Sequence, residues 1–135
     1  MKNDYAGRAR ALVGTRFRPQ GRVPELGLDC AGLVLCAFRL PGDLVRRDYR
    51  LRGDHRAEMT RELVRVFRQI RPSRQRSGDL LLMQVAEDQI HLGILTETGF
   101  VHADARLGHV VETPGLPVWP IIAVFRRRAR PQGRC

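Results

Sequence analysis

Residues 31–38 read Ala-Gly-Leu-Val-Leu-Cys-Ala-Phe, apolar nearly all round, and this run narrows the fold more than any other feature of the chain. A helix with one apolar stripe can lie on a surface, but a helix apolar on every side has to be buried. Its limits are marked too: Asp29 is a good N-cap, and Pro41-Gly42 is a strong stop. The second half of the chain supplies a layer to bury it. After Pro72 and the polar turn Arg76-Ser77-Gly78-Asp79, the hydrophobic period changes from helical to strand-like. Strands are expected near residues 80–86, 89–95, 100–104, 108–112 and 119–126, parted by turns at Glu87-Asp88, Glu97-Thr98-Gly99, Leu107-Gly108 and Pro114–Pro117. Helices first and strands after give an α+β domain, in which an antiparallel sheet of about five strands packs against a central helix.

The other segments fit around this centre. Ala6, Ala9, Leu12 and Val13 recur at helical spacing, which predicts a short helix over Tyr5–Val13 stopped by Gly14. Residues 15–28 hold two prolines and two glycines and are expected to be irregular. Residues 41–55 are charged and rich in turn formers. A second helix is expected from about Arg56 to Ile70, with Met59, Leu63, Val66, Phe67 and Ile70 on one face and Arg61, Glu62, Arg65 and Arg68 towards solvent. No repeat, low-complexity block or linker interrupts the chain. Its 135 residues therefore divide into one domain over 1–128 and a basic tail over 129–135.

Arg or Asp interrupts every apolar run before the ~20 residues of a membrane span. The first twenty residues lack the apolar core of a secretory leader, so the expectation is synthesis in the cytoplasm without a signal peptide. The formal net charge is +10, and Lys2 is the one lysine. That balance attracts a polyanion without naming it. Cys30, Cys36 and Cys135 form no CxxC and no even set, so neither a disulfide framework nor a zinc ribbon is indicated.

Cys30 stands one residue after the cap, in the first turn of the buried helix. A thiolate there faces backbone N–H groups and the positive end of the helix dipole, which lowers its pKa. The same N–H groups can stabilise an oxyanion formed beside the sulfur. Cys36, mid-helix among Leu33, Val34 and Phe38, reads as packing, and Cys135 as incidental. A nucleophilic thiol needs a base. Of His55, His91, His102 and His109, two fall on adjacent strands joined by a tight turn. If Leu95 pairs with Phe100, then His91 pairs with Asp104 and Gly93 with His102, and all four side-chain positions share a face. The two histidines are then diagonal neighbours with Cβ atoms about 7–8 Å apart, so one imidazole can orient the other. His102 or Asp104 could fill that orienting role. His55, in a charged loop, and His109, at a turn, are given no role.

These residues resemble a known family. Gly27-Leu28-Asp29-Cys30-Ala31-Gly32-Leu33-Val34 resembles the D-C-S-G-L-V signature of NlpC-like cell-wall cysteine peptidases. Ser77-Gly78-Asp79-Leu80 resembles their P-G-D-L step, His91-Leu92-Gly93-Ile94 their H-x-G-I strand, and Val101-His102-Ala103 the strand after it. Gly14-Thr15-Arg16-Phe17 through Gly21 stands where the family has G-T-P-Y-x-x-G-G. The resemblance implies a papain-like fold with Cys30 as nucleophile, His91 as base and His102 as the residue that holds His91 in its productive tautomer. It implies hydrolysis of a peptidoglycan stem-peptide amide through a thioester, such as the bond between D-γ-glutamate and the diamino acid, with no metal and no cofactor. Ala31 replaces the usual Ser, and Phe17 stands where a Tyr is usual. Phe17, Gln20 and Asp29 are the candidate substrate-binding residues, Gln20 because its amide could replace the missing hydroxyl. The wording Arg16-Phe17-Arg18-Pro19-Gln20-Gly21-Arg22 looks like a branch encoded beside tail genes of phages and gene transfer agents. That implies a place on a tail-like particle and action on the cell wall.

Three rivals remain. Arg126-Arg127-Arg128 and the cluster Arg71, Arg74 and Arg76 would suit a nucleic-acid-binding module, but no aromatic residues interleave with them as a stacking platform requires. Cys30, His91 and His102 plus a water would suit a catalytic zinc. A tail structural protein could keep the fold without turnover.

Overall fold

The computed structural model describes residues 4–42, 44 and 56–128. Most of the loop expected over 41–55, with His55, and the basic tail with Cys135 lie outside them. Helix α1 spans Tyr5–Ala11, its first turn closed by the Asp4 carboxylate accepting from the Gly7 amide. It ends two residues before Val13, which is exposed. Within the segment expected to be irregular, β1 (Arg22–Val23) and β2 (Gly27–Leu28) pair as a minimal antiparallel hairpin. Helix α2 covers Cys30–Ala37 with Asp29 as N-cap, and every residue except Cys36 is buried. Gly32 is required there, because a Cβ at that position would collide with the Gly21 carbonyl.

Helix α3 spans Arg56–Leu63 and buries Met59 and Leu63. The expected helix to Ile70 stops short, and Phe67–Ile70 forms strand β3 instead. Phe67 enters the core on the helix side of the sheet, whereas Ile70 enters the cluster on the opposite side. Two residues three apart reach opposite faces in a strand, not in a helix. The outer edge of the last strand supplies the backbone partners that make this the better solution.

A 3-10 turn over Pro72–Arg74 leads into β4 (Leu80–Ala86), β5 (Gln89–Leu95), β6 (Gly99–Asp104), β7 (His109–Pro114) and β8 (Ile121–Arg127). The sheet order is β3-β8-β4-β5-β6-β7, with every neighbouring pair antiparallel. This is the expected α+β arrangement, with β3 added to the five strands foreseen. On one face Leu80, Leu82, Leu92, Ile94, Val101 and Phe125 pack against Leu33, Val34 and Phe38. The other face gathers Ile70, Leu81, Met83, Leu95, Phe100 and Val124 under Trp119 and Ile121. The two faces give β4 its near-continuous apolar run. Leu95 pairs with Phe100, as the turn spacing predicts, and Ile94 with Val101. The ladder goes no further. The expected pairs Gly93–His102 and His91–Asp104 do not form, so β5 and β6 part towards that end.

Candidate active site

Asp29 organises the start of α2. Its Oδ1 accepts from the Gly32 amide (2.8 Å) and from Arg22 Nη1 (3.1 Å), and its Oδ2 accepts from the Gln20 amide (3.0 Å). Asp29 and Arg22 are both buried. Burial pushes the Asp29 carboxyl above the usual range, and the Gly32 amide and the Arg22 charge pull against it. Its oxygens therefore face the loop and the helix rather than a substrate. Gln20, the candidate amide donor, has an exposed side chain and a left-handed backbone (φ 58°), a conformation non-glycine residues seldom adopt. It lines a cavity of about 260 Å³ with Arg18, Gly21 and Arg22.

The same loop is tied to the sheet. The Gly14 amide donates to Val110 O, the Val110 amide to Thr15 O, and the Phe17 amide to Gly108 O, each at 2.8 Å; the Leu28 amide donates to Arg16 O at 2.9 Å. Phe17 is half-buried against the core. These bonds hold the N-terminus of α2 at the β6–β7 turn, the end of the sheet where β5 and β6 part. Cys30, the first residue of α2, is only 1% exposed and belongs to the helix-side core. Cys36 is half-buried; its Sγ lies 3.5 Å from Arg22 O as a weak donor, and burial pushes its thiol pKa up, as suits a packing residue.

His91 and His102 meet directly. His91 Nε2 lies 2.9 Å from His102 Nδ1, with the rings edge to face. The separation of the backbones leaves room for this bond. The far side of His102 is occupied as well, since its Nε2 lies 3.0 Å from Thr113 Oγ1. Phe100 stacks on His102 at 4.8 Å, and Trp119 sets its ring against His91 at 5.8 Å and His102 at 5.7 Å. Burial, then the charge of His102, lowers the His91 pKa to about 4, with Asp104 opposing. Burial also lowers that of His102. His91 is thus neutral at pH 7 and able to take a proton. Asp104 spends its Oδ1 on the amides of Arg106 (2.8 Å) and Leu107 (3.0 Å). Burial alone would raise its carboxyl, yet those amides hold it below the usual range. Of the two candidates for orienting His91, His102 makes the contact.

Sequence reasoning did not single out Thr113 or Trp119. Thr113 faces Phe100 in the β6–β7 ladder and so lies diagonal to His102 on one face, a relation visible only once that register is known. Trp119 precedes β8 instead of opening it, which frees its ring to fold over the imidazoles. His109 sits at the β6–β7 turn with Nδ1 on Leu107 O. Among the described residues no group of three His, Cys, Asp or Glu is placed to hold a metal ion. No helix among them is long and apolar enough to cross a membrane.

A central helix opening on a cysteine, packed on an antiparallel sheet that carries a histidine pair, defines a papain-like α+β domain. The model of the NlpC/P60 family matches residues 14–119, and the chain belongs to that family. A search of curated protein sequences finds no significant match. Among solved structures, the chain is similar to the NlpC/p60 domain of the peptidoglycan hydrolase SagA (TM-score 0.60, 19% identity, covering 84% of this chain and 90% of that one). It is similar to the peptidoglycan hydrolase RipB from Mycobacterium tuberculosis (TM-score 0.58, 22% identity, 92% of this chain and 62% of that one). A lipoprotein-like member of the family from Staphylococcus aureus has TM-score 0.59 and 18% identity, over 95% of this chain and 41% of that one. At these identities the likeness is one of fold, and the chain spans less than two thirds of the length of the last two.

Proposed function

We propose that this protein is a cysteine peptidase that hydrolyses a peptidoglycan stem-peptide amide, such as the D-γ-glutamyl-diamino acid bond. The observation that carries the reading is the 2.9 Å contact between His91 and His102 at the sheet end to which the start of α2 is tied. Cys30 is the nucleophile, His91 the base and His102 the residue that orients it. Neutral His91 takes the thiol proton as Cys30 Sγ attacks the amide carbon. The first turn of α2 stabilises both the thiolate and the oxyanion through its backbone dipoles. The C–N bond then breaks, the leaving amine takes its proton from His91, and a thioester remains on Cys30. Water, deprotonated by His91, attacks the thioester and releases the acid and the thiol. Asp29 serves by holding the turn in place. The cavity beside Gln20 is the proposed substrate-side surface, with Phe17 supporting its loop. The wording of residues 16–22 supports deployment on a tail-like particle that acts on the cell wall.

The test is to incubate purified protein with peptidoglycan fragments beside a Cys30→Ala variant and read the products by mass spectrometry. The expected result is release of a stem-peptide piece by the wild type alone, its mass naming the bond. Equal release by both proteins removes Cys30 from the mechanism, and release by neither refutes the peptidase reading.

A further inference from the structure

Three side chains form a line from the sheet edge to the proposed base: Thr113 Oγ1 to His102 Nε2 at 3.0 Å, then His102 Nδ1 to His91 Nε2 at 2.9 Å. A neutral imidazole carries one N–H and one lone pair, so this line can run in two senses. With donors pointing from His91 to His102 to Thr113, the protons sit on both Nε2 atoms and His91 Nδ1 has a bare lone pair. In the reverse sense Thr113 donates, both Nδ1 atoms are protonated, and His91 has no lone pair left for a thiol proton. We propose that Thr113 is a positioning residue that fixes the first sense, its hydroxyl accepting from His102 Nε2. This rests on the reading of His91 as base.

The surroundings hold the Thr113 hydroxyl in place beside a buried imidazole. His102 is 3% exposed, so an Nε2–H without a partner would be buried and unsatisfied. Thr113 is β-branched and stiff about χ1, in a strand paired with β6 through six residues. Gly99 allows that close pairing, because a Cβ there would collide with the Thr113 carbonyl. The neighbouring Glu112, on the other face, clamps β7 by accepting from Thr96 Oγ1 (2.7 Å), Thr98 Oγ1 (3.2 Å) and Arg10 Nε (3.1 Å). The hydroxyl is thereby placed by backbone pairing on one side and an ionic anchor on the other.

Imidazole 15N spectra of labelled protein at pH 7 read the tautomers without any substrate. The expected result is Nε2–H at both His91 and His102 in the wild type. Thr113→Val, nearly isosteric, should shift His102 towards Nδ1–H and lower kcat about tenfold to a hundredfold with KM little changed. Thr113→Ser should restore both the tautomer and the rate. Nδ1–H at His102 in the wild type overturns the proposal, even if Thr113→Val does not fold. So does a Val variant that folds with unchanged tautomers and rate. The expected tautomers in a protein that cleaves no peptidoglycan would keep the relay and refute only the peptidase reading.

Discussion

His91 combines a polar contact with a half-buried setting. Its Nε2 is spent on His102, Trp119 stands against its ring, and burial holds it neutral down to about pH 4. The direction of that shift predicts the acid limb of activity. A solvated imidazole protonates near 6.5 and is lost as a base below it. In this site kcat/KM should stay level from pH 7 to about 5 and fall with an apparent pKa near 4. A pH-rate profile checks this, and an acid limb at 6.5 would show that His91 is solvated in the working enzyme. In the same assay His102→Ala should slow turnover less than His91→Ala, as the proposed roles of orienting residue and base require. At the residue scale much was legible beforehand. The helix-start position of Cys30 and the meeting of the two histidines follow from a cap, a turn and strand parity. Thr113 was not, because nothing within Val110–Pro114 says which residue it faces across the sheet.

At the scale of elements, the junction of the β1–β2 loop and α2 is where a small change should tell most. Gly32→Ala would gain up to about 1 kcal/mol of helix propensity in isolation. Here its Cβ meets the Gly21 carbonyl, which is backbone and cannot step aside alone. The expected net effect is a loss of about 1–3 kcal/mol in denaturant unfolding, from overpacking. A neutral or stabilised variant would show that the loop does not seat on α2 in solution. Besides the short β1–β2 hairpin, the element misjudged from sequence lies elsewhere. Met59, Leu63, Val66, Phe67 and Ile70 do fall on one helical face, and no glycine or proline separates them. Local periodicity therefore could not separate a long helix from a short helix followed by an edge strand. The open edge of β8 decided it, and that edge is contributed by residues about sixty positions away.

The whole molecule adds a question of charge. Ile70, Val124, Leu81 and Gly93 lie in one row across four strands, so the β3 edge is about 15 Å from the histidine strand on the same face. Beside Ile70 a groove of about 370 Å³ is lined by Arg68, Arg71, Arg74 and Arg126. Arg126 is paired with the buried Asp79 at 2.8 Å, whereas the other three make no ion pair among the described residues. If the substrate is an anionic wall polymer, binding of the Cys30→Ala protein to insoluble peptidoglycan should weaken steeply with salt. Replacing Arg68, Arg71 and Arg74 with Gln should flatten that dependence, as read by cosedimentation. Binding indifferent to both salt and these residues would place polymer recognition elsewhere.

The sequence by itself determined the buried helix, its cap, the alternation of most strands and the residue types at the site, because each is a property of neighbours a few positions apart. It also carried the family, through motifs that are themselves local. The tertiary structure decided the sixth strand, the parting of β5 from β6, the seat of Trp119 over the imidazoles and the partner of His102. These depend on which strand lies beside which, and on how far a ladder continues. Such facts belong to pairs of segments distant in the chain, and no local pattern records them.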